Sequence, residues 1–199
     1  MTDASDNRGA EAALEVEAVT TARLRLRHFT PDDLELLCRL HSDPRVMRYA
    51  GGVRTRAQVE ALLQDRILGY AQQNPGLGVW ATIEKESGRC VGIHLLNNVH
   101  GQTDIQVGYL LFPEHWGKGY ATEMCRAVLR YGFAVRRLAQ IVAITDLANT
   151  DSQHVLLKCG MERHGERLLP HPNYAASGPL AWFQRDREDW LAADASAGA

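Results

Sequence analysis

The chain has little of what would tie it to a metal, a membrane or a nucleic acid. It holds four cysteines, Cys38, Cys90, Cys125 and Cys159, scattered without paired ligand spacing. They read as free thiols in a reducing cytosol, with no metal site expected. No apolar run approaches the roughly 20 residues of a membrane helix. The opening Met1–Glu17 is polar and acidic, so a secretory signal is not expected either. Positive charge is not in excess: 22 Lys and Arg stand against 24 Asp and Glu, a net −2, which argues against nucleic acid as partner. Neither Gly-x-Gly-x-x-Gly nor the Walker spacing occurs, so dinucleotide and P-loop readings fit poorly. Internal repeats are absent.

What remains is an ordinary soluble composition, 45% hydrophobic and 23% charged over 199 residues, enough for one sizeable core. Residues 1–18 read as a mobile tail, 19–191 as one domain and 192–199 as a frayed end. Leu24 to Phe29 alternates as a half-buried strand. Thr30-Pro31-Asp32-Asp33 starts a helix to about His41. A helical turn near residues 43–48 ends at Gly51-Gly52. Thr55 with Gln58 forms a capping box for a helix to about Gln73. Val79–Ile83 and Cys90–Leu96 read as a hairpin, Asp104–Phe112 as a central strand and Ala139–Ile144 as another. Thr150–Cys159 is a helix with Gly160 suited to end it. A strand over Met161–Leu169, a last one over Leu180–Phe183 and a short helix over Asp186–Leu191 complete an α/β (α+β) fold. Its sheet should be mixed and mainly antiparallel.

The stretch Phe112 to Thr122 is the centre of the chain. Gly117, Gly119 and Ala121 lie where a buried strand turns into an amphipathic helix, so successive backbone N–H groups are unobstructed. With the positive end of the helix dipole they suit a phosphate or pyrophosphate. A plain glycine-rich turn is the alternative.

Trp116-Gly117-Lys118-Gly119-Tyr120-Ala121-Thr122-Glu123 after Gly108-Tyr109-Leu110-Leu111 resembles the acetyl-CoA motif of the GNAT acetyltransferases. Within these it is most similar to the branch of ribosomal-protein N-terminal acetyltransferases. Asn149-Thr150-Asp151-Ser152 with Val155 to Met161 resembles that branch's second signature, and Thr21 to Arg27 with Thr30 to Asp33 its beginning. The resemblance covers about residues 19–190. It implies a six- to seven-stranded sheet flanked by about four helices. It also implies a pyrophosphate on the amides of Trp116, Gly117, Lys118, Gly119, Tyr120, Ala121 and Thr122. The pantetheine arm would pair with the strand at Tyr109, Leu110 and Leu111. Asn149 would hold that arm, and Ser152 would lie by the thiol. On residue type alone Asn149 is a helix N-cap and Ser152 a first-turn residue. Lys118 is either a phosphate contact or a solvated lysine, and Trp116 is expected to pack.

Two positions depart from the pattern. Leu156 stands where many relatives carry a tyrosine acid, which leaves thiolate stabilisation to Ser152 or water. Gln106 stands where an acidic base is common, so Asp104 on the same face and His94 on the facing hairpin are the base candidates, with structural roles as their alternatives. His41 and His115 are weaker ones. A free α-amine of pKa ~8 is roughly one-tenth neutral at pH 7 without help, against about one in 2,500 for a lysine side chain. The acceptor is therefore expected to be a weakly basic amine. Residues 43–56, 72–78 and 168–180 should flank it, with Arg45, Arg48, Arg54 and Arg56 read as solvated surface, and Trp80 and Trp182 as core.

These residues predict a cytoplasmic acetyl-CoA-dependent N-acetyltransferase acting on a small-molecule amine or a protein N-terminus by direct attack in a ternary complex. A homodimer is compatible with the resemblance. A CoA-binding sensor that has lost transfer is the runner-up, and a general nucleotide-binding domain the third reading.

Overall fold

A computed structural model describes residues 19–171, 174 and 178–197. The tail expected over 1–18 and residues 198–199 lie outside them. The strands are β1 (Leu24–Arg27), β2 (Gly78–Glu84), β3 (Cys90–Asn98), β4 (Ile105–Leu111), β5 (Gln140–Asp146), β6 (Glu162–Arg167) and β7 (Leu180–Asp186). They form one sheet in the order β1-β2-β3-β4-β5-β7-β6. Every pairing is antiparallel except β4 with β5. The mixed, mainly antiparallel sheet matches the expectation.

The helices are α1 (Leu34–Ser42), α2 (Pro44–Met47), α3 (Arg56–Ala61), α4 (Gly69–Gln73), α5 (Tyr120–Arg130), α6 (Thr150–Lys158) and α7 (Arg187–Ala197). A π-helical stretch, Leu62–Leu68, joins α3 to α4, so the helix expected up to Gln73 is continuous but locally widened. The Thr55–Gln58 capping box forms as read, with Thr55 N–H donating to Gln58 Oε1 at 2.8 Å. Ahead of α1, Asp33 accepts from the Thr30 N–H at 2.8 Å and pairs with Arg27 through both carboxylate oxygens, each at 2.8 Å. Helix α7 runs to Ala197, beyond the Leu191 expected.

The sheet buries both faces. On one, Val107 and Leu111 of β4 pack with Met124 and Val128 of α5 and Leu156 of α6. On the other, Ile93 of β3 and Leu110 of β4 pack with Leu37 and Leu40 of α1 and with Val59 of α3. Full burial of each such aliphatic side chain contributes about 1.5–3 kcal/mol. Trp80 and Trp182 are almost fully buried, as expected of core residues. Phe133, Phe183 and Met124 are further large side chains buried in the core.

Candidate active site

Strand β4 is firmly paired on one edge and hardly at all on the other. Its register with β3 runs from Asn98↔Ile105 to Gly92↔Leu111, whereas its register with β5 is the single pair Gln106↔Val142. Beyond that point the two strands splay. The N–H of Phe112 donates to Val91 O at 3.0 Å, which sets the phase of the β3–β4 ladder. In that phase Gly108 and Leu110 turn their backbone polar groups toward β3, and Tyr109 and Leu111 turn theirs toward β5. The indole Nε1 of Trp116 donates to Leu111 O at 2.8 Å. Thus the Tyr109 N–H and C=O and the Leu111 N–H line an open sheet edge, on which an extended amide chain can add as a further strand. The splay opens a cleft of about 260 Å³ through the sheet, with Tyr109, Asn149 and Ser152 on the α5–α6 side and Tyr49, Arg54 and Gln106 among the other lining residues.

The open edge leads straight to the glycine turn. Gly117 and Gly119 have φ of +72° and +78°, the left-handed region that L side chains rarely adopt. Gly119 is the N-cap of α5 and brings no side-chain cap, so the first-turn N–H groups of the helix have no side chain upon them. Glu123, the acid of that first turn, is drawn away from them. Its Oε1 accepts from Thr21 Oγ1 at 2.5 Å and its Oε2 pairs with Arg23 at 2.6 Å. The Arg23 guanidinium sits 4.6 Å from the Tyr120 ring centroid, and Tyr120 hydrogen-bonds Glu84. Uncapped amides at a helix N-terminus, with Arg23 beside them and exposed Lys118 in the turn, could hold an anion.

At the cleft's waist stands a hydroxyl pair. Tyr109 Oη lies 3.2 Å from Ser152 Oγ and donates to Ser152 O, also at 3.2 Å. Burial pushes the Tyr109 phenol far above its usual range, so it stays protonated and available as a donor. Asn149 Oδ1 accepts from Ser152 N at 3.2 Å and caps α6; its Nδ2 has no partner among the described residues. His94 stacks at 5.6 Å from the Tyr109 ring, with Nδ1 2.7 Å from Thr82 Oγ1. Full burial lowers its pKa to about 3, so it is a neutral packing residue at pH 7.

On the opposite face of the sheet the cleft widens among Tyr49, Arg54, His100, Gln106 and Tyr174. Gln106 Nε2 donates to Asn97 Oδ1 at 3.3 Å. The His100 ring stacks on His171 at 5.1 Å and meets Tyr174 edge-on at 5.9 Å. Burial, then the charge of Arg66, holds the His100 pKa near 4.

A model of the acetyltransferase (GNAT) domain matches residues 23–162, most of the chain. The chain belongs to the GNAT acetyltransferases. It is an N-acetyltransferase in the acyltransferase class, EC 2.3.1. Among similar proteins, the FsC-acetyl coenzyme A-N(2)-transacetylase of Aspergillus fumigatus is 31% identical over 183 residues, covering 86% of this chain and 77% of its own. The spermidine N(1)-acetyltransferase of Escherichia coli is 28% identical over 145 residues, 73% of this chain and 76% of its own. The crystal structure of a GNAT-family acetyltransferase from Bacillus anthracis superposes with a TM-score of 0.70 at 28% identity, covering 85% of this chain and 98% of that one.

The GNAT frame makes the fate of each predicted residue plain. Tyr109, Leu110, Asn149, Ser152 and Gln106 meet at the cleft, and Trp116 to Thr122 form the turn and first helical residues beside it. Leu110 offers the cleft its side chain while its backbone faces β3. Asp104 and His94 do not line the cleft. Asp104 sits before β4, its carbonyl accepting from Val99 N at 2.9 Å, and His94 is sealed under α5. Trp116 does not pack as expected: it is 47% exposed and its work is the bond to Leu111 O. Of the three acceptor segments, the first contributes Val46, Tyr49, Ala50, Gly51 and Arg54 to the cleft and the third Tyr174 and Leu180, whereas 72–78 contributes none. Sequence reading missed Tyr109's bond to Ser152, and it missed His100, a loop residue with no local signal. Among the described residues no group of three His, Cys, Asp or Glu could hold a metal, and no helix is long and apolar enough to cross a membrane.

Proposed function

We propose that the protein transfers the acetyl group of acetyl-CoA to a primary amine by direct attack within a ternary complex. One observation carries this: the open β4 edge at Tyr109 and Leu111 lies between the uncapped N-terminus of α5 and the Tyr109–Ser152 hydroxyl pair. The residues fit the co-substrate in three respects. The first-turn amides of α5 are free of side-chain caps, the glycines hold the left-handed backbone the turn needs, and the β4 edge offers two donors and an acceptor to an amide chain.

Acetyl-CoA supplies an activated thioester. The chain's own part is then to bind and orient. The α5 N-terminus and Arg23 hold the anionic end, the β4 edge aligns the extended arm, and a β4 amide can polarise the carbonyl under attack. The neutral Tyr109 phenol hydrogen-bonds Ser152 and orients its hydroxyl to hydrogen-bond the departing thiolate, which takes its proton from solvent. This pair does the work that Leu156, an aliphatic residue, cannot do. No ionisable base with an ordinary pKa stands at Gln106, and His100, its pKa held near 4, is a poor proton acceptor, so the acceptor amine loses its proton to solvent. Positioning and polarisation carry most of the rate, and the reaction belongs to the cytoplasm, where acetyl-CoA is held. The retained hydroxyl pair weighs against the sensor reading.

The experiment is turnover: CoA release from acetyl-CoA with a panel of primary amines, for the wild-type chain and Ser152→Ala. The proposal expects amine-dependent release that falls by roughly tenfold or more in kcat for the variant, about 1.4 kcal/mol or more of lost hydrogen bonding to the departing sulfur. Acetyl-CoA binding with no release on any amine would favour the sensor instead.

A further inference from the structure

Four arginines follow one another around the acceptor side, and the structure separates them. Arg45 pairs with Asp43 at 2.6 Å and Arg56 with Glu35 at 2.5 Å. Arg48 is exposed and lies over the Tyr49 ring. Arg54 is different. It is partly buried in the wall of the cleft, its backbone N–H donates to His41 O at 3.0 Å, and its guanidinium has no acidic partner among the described residues. Burial alone lowers its pKa, with no carboxylate acting to raise it. A guanidinium withdrawn from water without a counterion is costly, and such a group is satisfied by an anion that arrives with a ligand.

The rest of that wall fits the same ligand. Arg66 acts electrostatically on both His100 and Tyr174, so a second cation bears on the same space. His100 is held neutral by this surrounding and adds no negative charge. The one carboxylate lining the cleft among the described residues, Asp146, stands at the β5 end beside Asn149, and its Oδ1 already accepts from Ala148 N at 2.8 Å. A polycation entering from this face would meet the Arg54 guanidinium, with Asp146 at the β5 end the one carboxylate among the described lining residues. Tyr49, Tyr174 and the His100 ring supply apolar walls with polar tips, suited to a short carbon chain between two charged ends.

We infer that the acceptor is an amine that also carries a carboxylate, its carboxylate held by Arg54 while its amine faces the Tyr109–Ser152 pair. This rests on the acetyl-transfer reading and narrows it to amino-acid-like acceptors, excluding polyamines as preferred substrates. Transfer forms the amide C–N bond and breaks the thioester C–S bond; the amine proton leaves to solvent, and the departing thiolate, held by a hydrogen bond from the Ser152 hydroxyl, takes its proton from solvent, so that Ser152 keeps its own. The carboxylate stays unreacted throughout and serves only to fix position.

The test uses the full chain with saturating acetyl-CoA at about pH 9, where a lysine-like amine is a few per cent neutral, and matched probes: β-alanine, γ-aminobutyrate and δ-aminovalerate, each beside the alkylamine and the diamine of the same length. Acetyl-CoA binding is first checked by thermal shift for wild type, Arg54→Gln and Arg54→Lys. Without that shift in the wild type, the acetyl-transfer reading itself fails. With it, the inference expects kcat/KM for the best amino acid to exceed that of its alkylamine by about tenfold to a hundredfold, and that of its diamine by more. Arg54→Gln should erase the preference and Arg54→Lys retain part of it, while both keep the acetyl-CoA shift. A diamine used as well as the amino acid would overturn the inference while leaving acetyl transfer standing. A preference that survives Arg54→Gln, or no turnover of any amino acid by a chain that binds acetyl-CoA, would do the same.

Discussion

Replacing Tyr109 by phenylalanine removes one oxygen atom and tests the hydroxyl pair directly. The two hydrogen bonds it removes, to Ser152 O and Ser152 Oγ, are both 3.2 Å, long for a bond between hydroxyls. Their structural worth is therefore small, about 0.5–1 kcal/mol of net stability. The ring remains, still stacked on His94 and still packed beneath α5, so no cavity is made. For a domain of this size the thermal midpoint should fall by only about 2–4 °C. Catalysis should suffer more. Without the phenol to fix its orientation, the Ser152 hydroxyl no longer points reliably at the leaving sulfur, and kcat should drop by roughly tenfold, about 1.4 kcal/mol. Because both residues act through one hydrogen bond to the sulfur, Tyr109→Phe should cost almost nothing further once Ser152 is alanine. Urea denaturation of the single variants and kcat for the four members of the double-mutant cycle supply the numbers. Additive losses in kcat would refute the shared role, and a stability loss above about 3 kcal/mol would refute the view of Tyr109 as a weakly held donor.

The other predictions concern the frame around the cleft. His94 and His41 are buried, with pKa values lowered by burial to about 3 and about 4, so the folded chain keeps them neutral while the unfolded chain protonates below about 6.5. Their contribution is full above that value and is lost as pH falls toward 4, at about 1.4 kcal/mol per pH unit for each; urea midpoints that stay level from pH 7 to about 5 would contradict it. A Cβ on Gly92 would sit 2.2 Å from Leu110 O and 2.7 Å from Leu111 Cα, both backbone, so Gly92→Ala should shift the β4 edge. It should cost about 2 kcal/mol or more and weaken acetyl-CoA binding, and a variant of wild-type stability would show that the edge yields freely. Gly119→Ala forces a side chain to φ of +78°, where its Cβ meets only the Arg23 guanidinium at 3.6 Å, an ordinary contact, so it should lose about 1–2 kcal/mol by strain and bind acetyl-CoA less well; unchanged affinity in titration would place the phosphates elsewhere.

The order of elements was legible because each carries its own local signal. Thr55 with Gln58, Gly160 after α6, and the alternation in β1 state their roles within a few residues. The cleft was legible only as motifs. What sequence could not show is where β4 and β5 part, since that is a relation between strands separated by a whole helix. The same distance hides Tyr109 from Ser152, and it hides which face of the sheet Gln106 looks upon. The arginines make the point most simply. Asp43 neutralises Arg45 from two residues away, and Glu35 reaches Arg56 from α1. Arg54, identical in type and close by in sequence, is left facing the cleft because the turn after α2 brings it inward. Trp116 misled for a related reason: a large aromatic suggests packing, whereas here its polar edge is the part that matters.

Acetyl transfer requires that the β4 edge and the α5 N-terminus hold acetyl-CoA together, and the thermal shift of the purified chain tests this most directly. At about 100 times Kd, acetyl-CoA should add ~2.7 kcal/mol and raise the midpoint by roughly 5–10 °C, while ATP and NAD at equal concentration leave it unmoved. A chain that shows no rise with acetyl-CoA, or the same rise with ATP, would contradict the account at its centre.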